Sequence, residues 1–175
     1  ALVEQKAQVI KELVAHGGRI LDTAAQYSRG GAEAFTGEVV EKNGLRDKIF
    51  LATKFAERGK DAGVQAIDVA FKRLRTNMID LMFVHNMVDT DTHLPTLKAE
   101  KDRGRFRYIG VTSTGDDQDR LTTWMDQVDF VEFAYAVDSR EAEKKLLPMA
   151  ADKGVGVLVA LPLGRGRLLS KVQGQ

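Results

Sequence analysis

Cysteine is absent from this chain of 175 residues, which excludes disulfides and thiolate metal sites. Histidine is scarce: His16, His85 and His93 lie far apart and show no metal-ligand spacing. No apolar run approaches the roughly 20 residues that a membrane helix needs, so no membrane role is expected. An excess of either charge is also missing. Lys and Arg number 26 against 25 Asp and Glu, with no basic tract of the kind that binds nucleic acid. Neither a G-x-G-x-x-G turn nor a G-K-[ST] phosphate loop is present. No signal peptide is visible, and Ala1 already falls in a helical pattern; a processed or truncated product is expected. What remains is 43% apolar and 29% charged, the balance of a soluble globular domain, expected to run as one unit over 1–175.

The apolar pattern alternates between two periods. Val9, Ile10, Leu13 and Val14 predict a helix over 3–15, stopped by Gly17-Gly18. Later helices are expected at about 32–43, 62–75, 117–126 and 139–152, with a short one marked by Leu94, Leu97 and Ala99. Between them stand near-continuous apolar runs at 19–22, 48–54, 79–85, 106–112, 128–135 and 155–160. Such runs suit strands buried on both faces. Six strand–helix periods in strict alternation predict an α/β fold with a parallel sheet, either an open doubly wound sheet or a β/α barrel. The missing glycine fingerprint argues against the Rossmann form, and functional residues on three successive strand ends favour the barrel.

Those three ends carry the chemistry. The first strand closes on Asp22, the second on Lys54 and the third on His85. In parallel β/α proteins these termini share one face, the face that binds and reacts. A lysine following Phe50-Leu51-Ala52-Thr53 should be partly desolvated and need a partner, and Asp22 one strand away is the natural counter-ion. Ordinary structural readings exist for each residue taken singly: Lys54 a solvated strand end, Asp22 a turn or helix cap, Tyr27 a packed loop ring, His85 a hydrogen-bonded core histidine.

The ordered segments Leu21-Asp22-Thr23-Ala24 with Tyr27, Ala52-Thr53-Lys54-Phe55, Lys72-Arg73-Leu74, Ile79-Asp80-Leu81 with His85, Arg107-Tyr108-Ile109-Gly110-Val111-Thr112, Leu147-Pro148-Met149-Ala150 and Pro162-Leu163-Gly164-Arg165-Gly166 resemble the aldo-keto reductases along nearly the whole chain. The resemblance implies a (β/α)8 TIM barrel, present here as about six β/α units, that reduces a small-molecule carbonyl with NADPH or, less often, NADH. It implies Tyr27 as general acid, Lys54 lowering the Tyr27 pKa, Asp22 holding Lys54, and His85 orienting the carbonyl. It implies cofactor contacts at Asp22, Thr112, Ser113 and Glu132, and at Leu163, Gly164 and Gly166 of a loop covering the pyrophosphate.

The chain departs from the family where Ser-Asn is usual (Thr112-Ser113), where Gln is usual (Glu132), and where a stacking ring is common (Ala160). The family's first strand and last strand–helix unit have no counterpart, so part of a longer protein is expected, with a partner chain completing the sheet as the alternative. Open sheet edges would favour self-association. A cytoplasmic location is expected. The periplasm is the alternative, since the chain looks like a branch whose precursors often carry an export signal. Two other functions compete: a non-catalytic, cofactor-sensing relative, and a Schiff-base lyase with Lys54 as nucleophile.

Overall fold

The computed structural model describes residues 2–173, with side chains from Glu4 onward. Ala1, expected inside the first helix, lies outside the described residues. The elements run in the order α1 (Leu2–Ala15), β1 (Ile20–Asp22), α2 (Gly31–Lys42), β2 (Phe50–Phe55), α3 (Lys60–Leu74), β3 (Ile79–Val84), α4 (Thr90–Asp102), β4 (Phe106–Ser113), β5 (Phe130–Ala134), α5 (Leu146–Lys153), β6 (Gly156–Ala160) and α6 (Arg167–Val172). The six strands form one sheet in sequence order, and every neighbouring pair is parallel.

Two expected helices differ. Between β4 and β5 the chain makes a 3-10 turn, Gln118–Thr123, because two β-branched threonines and flanking aspartates disfavour a longer helix. The helix expected over 139–152 divides into a 3-10 turn at Glu141–Lys144 and then α5. Pro148 has no N–H to give to the carbonyl four residues earlier, so the ladder breaks and restarts. Helix α4 begins at Thr90, earlier than its apolar residues signal, after Asp89 turns into the left-handed region at φ 53°.

The sheet is curled. Rings on β2 and β5, Phe50 and Phe130, lie 5.9 Å apart, whereas flat strands three places apart would stand about 14 Å apart. Register then sorts the side chains. Ala52 pairs with Leu81, Lys54 with Phe83, Phe83 with Gly110, and Thr112 with Glu132, so these share the inner face. Its floor is aromatic, Phe50 and Phe130 closing around Tyr108. Above the floor lies a layer of buried Ala52, Leu81 and Phe83, with Leu158 packed against it. Gly110 leaves room for this layer, because a Cβ there would sit 2.5 Å from the Phe83 ring.

The alternate residues face outward. Leu51, Met82, Val84, Ile109, Val111, Val131 and Phe133 form the main core together with Ile67, Leu74, Leu97 and Leu146 of the helices. Two carboxylates, the buried Asp80 and the half-buried Asp129, stitch the bottom of the sheet. Asp80 accepts the Leu51 N–H at 2.8 Å and Asp129 accepts the Ile109 N–H at 2.8 Å. Arg46 lies 2.8 Å from Asp80, and Lys101 lies 2.7 Å from Asp129. With floor and bottom sealed this way, the polar inner residues are left at the opposite, C-terminal rim.

Candidate active site

Each strand delivers its inner rim residue for the same reason: a two-residue pleat that buries the apolar members below lifts the last one to the mouth. Asp22 is last in β1, Lys54 next to last in β2, His85 the first residue after β3, and Thr112 and Glu132 are cross-strand partners in β4 and β5. Tyr27 opens the 3-10 turn that follows β1. That turn is held against β2 by the Ala25 N–H donating to the Lys54 carbonyl at 2.9 Å.

Lys54 is the centre of the cluster, and its side chain is only 1% exposed. Its Nζ donates to Asp22 Oδ2 and, at 3.0 Å, to Glu132 Oε2. It also stands 5.9 Å from the centre of the Tyr27 ring. The Tyr27 and His85 rings meet edge to face, 6.0 Å between centres. The structure therefore brings together all four residues expected to carry catalysis. It also brings in Glu132, but as a second counter-ion for Lys54 rather than as a residue facing the cofactor alone.

Burial and charge act on these groups in opposing directions. For Lys54, burial disfavours the ammonium, but the two carboxylates outweigh it and its pKa ends above the usual lysine value. Asp22 is pushed up to about 6, by burial first and by Glu132 as well, against the pull of Lys54. His85 is held down at about 4, mainly by burial and then by the Lys54 charge, so its imidazole is neutral at neutral pH. Tyr27 was expected to be more acidic than an ordinary phenol. Its pKa is instead raised: burial dominates, and Asp22 and Glu132 offset the lowering by Lys54.

Two of these shifts oppose each other in folding stability. Asp22, near 6 folded against an ordinary 3.8, takes up a proton on folding; its contribution favours the fold at low pH and is lost as pH rises through about 6. His85, near 4 folded against an ordinary 6.5, releases one; its contribution favours the fold at high pH and is lost as pH falls toward about 4. The two slopes largely cancel. Asp22→Asn should leave stability rising with pH between about 4 and 6.5, and His85→Asn should leave it falling between about 4 and 6. Urea midpoints measured across that range check both signs, and parallel profiles for the two variants would refute the assignment.

Other expected residues fall less centrally. Thr112 is buried, and its hydroxyl oxygen accepts the Asn86 N–H at 3.1 Å, which leaves its own proton free to donate. Ser113 pairs with outward-facing Phe133. Its hydroxyl donates to Asp117 at 3.1 Å, away from the inner face. Leu163, Gly164 and Gly166 form the turn after β6, with the Gly164 and Gly166 N–H groups donating within that turn.

Gln26 was not anticipated. Its side-chain amide meets His85 Nδ1 at 3.0 Å. The contacting atom is Gln26 Oε1, an acceptor, so His85 Nδ1 carries the proton and donates it, and Nε2 keeps its lone pair. No sequence pattern marks this residue beyond its place beside Tyr27. A cleft of about 460 Å³ opens here, bounded by Ile20, Asp22, Tyr27 and Glu132 and by residues 157–161 of the opposite sheet edge. Among the described residues no group of three or more His, Asp or Glu side chains could hold a metal, and no helix is long and apolar enough to cross a membrane.

A model of the aldo/keto reductase family matches residues 3–175. The aldo-keto reductase YhdN of Bacillus subtilis (strain 168) is 28% identical over 178 residues, covering 94% of this chain and 54% of that protein. The chain thus spans about half the length of this curated relative. Among solved structures, the holo form of aldo-keto reductase AKR11C1 from Bacillus halodurans aligns with a TM-score of 0.83 at 25% identity, over 94% of this chain and 59% of that one. An aldo-keto reductase from Klebsiella pneumoniae in complex with NADPH gives 0.77 at 25% identity, over 94% and 60%. Strand order, rim chemistry and family pattern coincide along the same residues, and the chain belongs to the aldo/keto reductase family.

Proposed function

We propose that the protein carrying this chain reduces an aldehyde or ketone to an alcohol with NADPH, Tyr27 acting as general acid. The observation that carries this reading is the buried Lys54 ammonium, fixed by Asp22 and placed beside a tyrosine and a neutral histidine. Ordinary packing needs no such charge in a nearly dry site, and burying one is costly unless it is paired.

The inner rim suits a nicotinamide. Its carboxamide needs one acceptor and one donor. Glu132 Oε1 is not engaged by Lys54 and can accept, while the free proton of the Thr112 hydroxyl can donate. The neighbouring relative from Klebsiella pneumoniae, solved with NADPH, supports the same cofactor. When bound, the nicotinamide supplies the hydride. Tyr27 gives its phenolic proton to the carbonyl oxygen, and Lys54 steadies the phenolate left behind. Asp22 keeps Lys54 in position. His85, held by Gln26 and set edge to face against the Tyr27 ring, orients the carbonyl.

The barrel reading completes the picture. Both sheet edges are open, with Ile20 51% and Val159 42% exposed. Two further β/α units of the same protein, pairing with β1 and β6, would close a (β/α)8 barrel as one domain. A non-catalytic, cofactor-sensing role is the second reading, favoured by the raised Tyr27 pKa. Loss of NADPH absorbance with a panel of aldehydes and ketones, measured on the full-length protein, separates them. Carbonyl-dependent oxidation supports the reductase. Binding of NADPH without turnover supports the sensing role, and failure of both overturns the pair. The same assay with NADH sets the cofactor preference.

A further inference from the structure

Lys54 has one positive charge and two carboxylate partners. Asp22 and Glu132 both accept from its Nζ, and the Glu132 side chain is 7% exposed. Asp22 alone would neutralise the ammonium. The second carboxylate leaves the cluster with one negative charge in excess when both are ionised, in a site where little water screens it. The excess follows from two carboxylates sharing one ammonium.

We propose that Glu132 is a positioning residue that sets the acid strength of Tyr27, so that reduction runs fastest when the Asp22–Lys54–Glu132 cluster holds one additional proton. The proposal rests on the reductase reading. Glu132 acts through Lys54: it engages the ammonium from β5 while Asp22 engages it from β1, and it cancels the field that would stabilise a Tyr27 phenolate. The charged and titratable groups facing Glu132 are few. They are Asp22 from β1, Tyr27 from the turn behind it and Lys54 from β2, while His85 after β3 feels the Lys54 charge. Arg165, after β6, adds the smallest of the fields at Tyr27. The cross-strand partners of Glu132, Thr112 on β4 and Leu158 on β6, do not titrate.

Among these groups it is Asp22, raised by burial and by the facing Glu132 charge, that can take up a proton in the mildly acidic range. Asp22, pushed up to about 6, is consistent with that range. With the proton on, the cluster is neutral, Lys54 acts on Tyr27 with its full charge, and the phenol gives up its proton more readily. With it off, the phenol holds its proton. The overall stoichiometry is that of any carbonyl reduction. Hydride goes to carbon, the Tyr27 proton goes to oxygen, and solvent returns a proton to Tyr27.

Glu132→Gln removes the excess charge without changing shape, and the full-length protein is the material to use. Titrating tyrosine 13Cζ resonances, with Tyr27 assigned by its loss in Tyr27→Phe, reads the phenol directly without cofactor or substrate. The Tyr27 midpoint should fall by about one to two pH units in Glu132→Gln. Glu132→Asp, which keeps the charge but withdraws it by one methylene, should fall in between. In parallel, wild-type turnover should decline as pH rises through about 6, and that decline should disappear in Glu132→Gln, whose cluster is neutral without the extra proton. An unmoved Tyr27 midpoint, with wild-type and variant profiles superimposed, overturns the proposal and leaves the reductase reading standing. A shifted midpoint without turnover in either protein supports the electrostatic assignment and overturns the reductase reading instead.

Discussion

Tyr27→Phe should slow carbonyl reduction by about a hundred- to ten-thousand-fold, the range for loss of a positioned general acid. The substitution removes one oxygen from a ring 46% exposed at the cleft mouth. It leaves the edge-to-face contact with His85 available, so folding should hardly change. Lys54 keeps both carboxylates. Residual turnover would come from placement of the carbonyl against the cofactor. NADPH affinity, followed by fluorescence, should stay near the wild-type value, because none of the proposed carboxamide contacts is made by the phenol. Unchanged turnover would remove Tyr27 from the reaction, and lost NADPH binding would show that the ring supports the cofactor rather than the proton transfer.

Lys54→Met should destabilise the protein by about 3–5 kcal/mol near neutral pH, the usual cost of stripping one partner from a buried ion cluster. Methionine fills much the same volume, so packing is a small part of the loss. What remains is Asp22 and Glu132 facing each other without the ammonium that separated them. Like charges in a partly dry site raise each other's pKa. The pair then holds a proton in the folded state at a pH where the unfolded chain is ionised, so the deficit grows as pH rises and shrinks as pH falls. Urea unfolding at pH about 5 and about 7.5 should show this slope. Adding Glu132→Gln should recover part of the loss by removing one of the opposed charges. A variant as stable as wild type at both pH values would mean that Lys54 is held by something other than these carboxylates.

Much of the fold was legible because the strands are buried on both faces and read as apolar runs broken by helical periods. The four residues of the rim cluster were legible for a related reason. An Asp, a Lys and a His are conspicuous at the ends of such runs, and Tyr27 follows in the adjoining loop. The misses have physical causes. The restart at α5 comes from one missing N–H at Pro148. The early start of α4 follows Asn86, Met87 and Asp89, which adopt positive φ without glycine, and no residue pattern announces that. Strand alternation already forbids Thr112 and Ser113 from facing the same side, and the structure turns Ser113 outward. The Glu132–Lys54 contact spans 78 residues and exists only because the sheet curls. Local patterns carry no information about curvature. The Gln26 contact with His85 depends on a loop conformation that composition does not encode.

The hydrogen bonds of Lys54 tie β2 to β1 on one side and to β5 on the other. That gives the site a place in time as well as in space. During synthesis the lysine is made well before Glu132, and closing a loop of that length is slow relative to forming the neighbouring strand–helix units. Until β5 docks, the ammonium is held from one side and remains open to water. Its dry environment therefore requires β5, and the rim is complete only when the sheet beneath it is bent into shape.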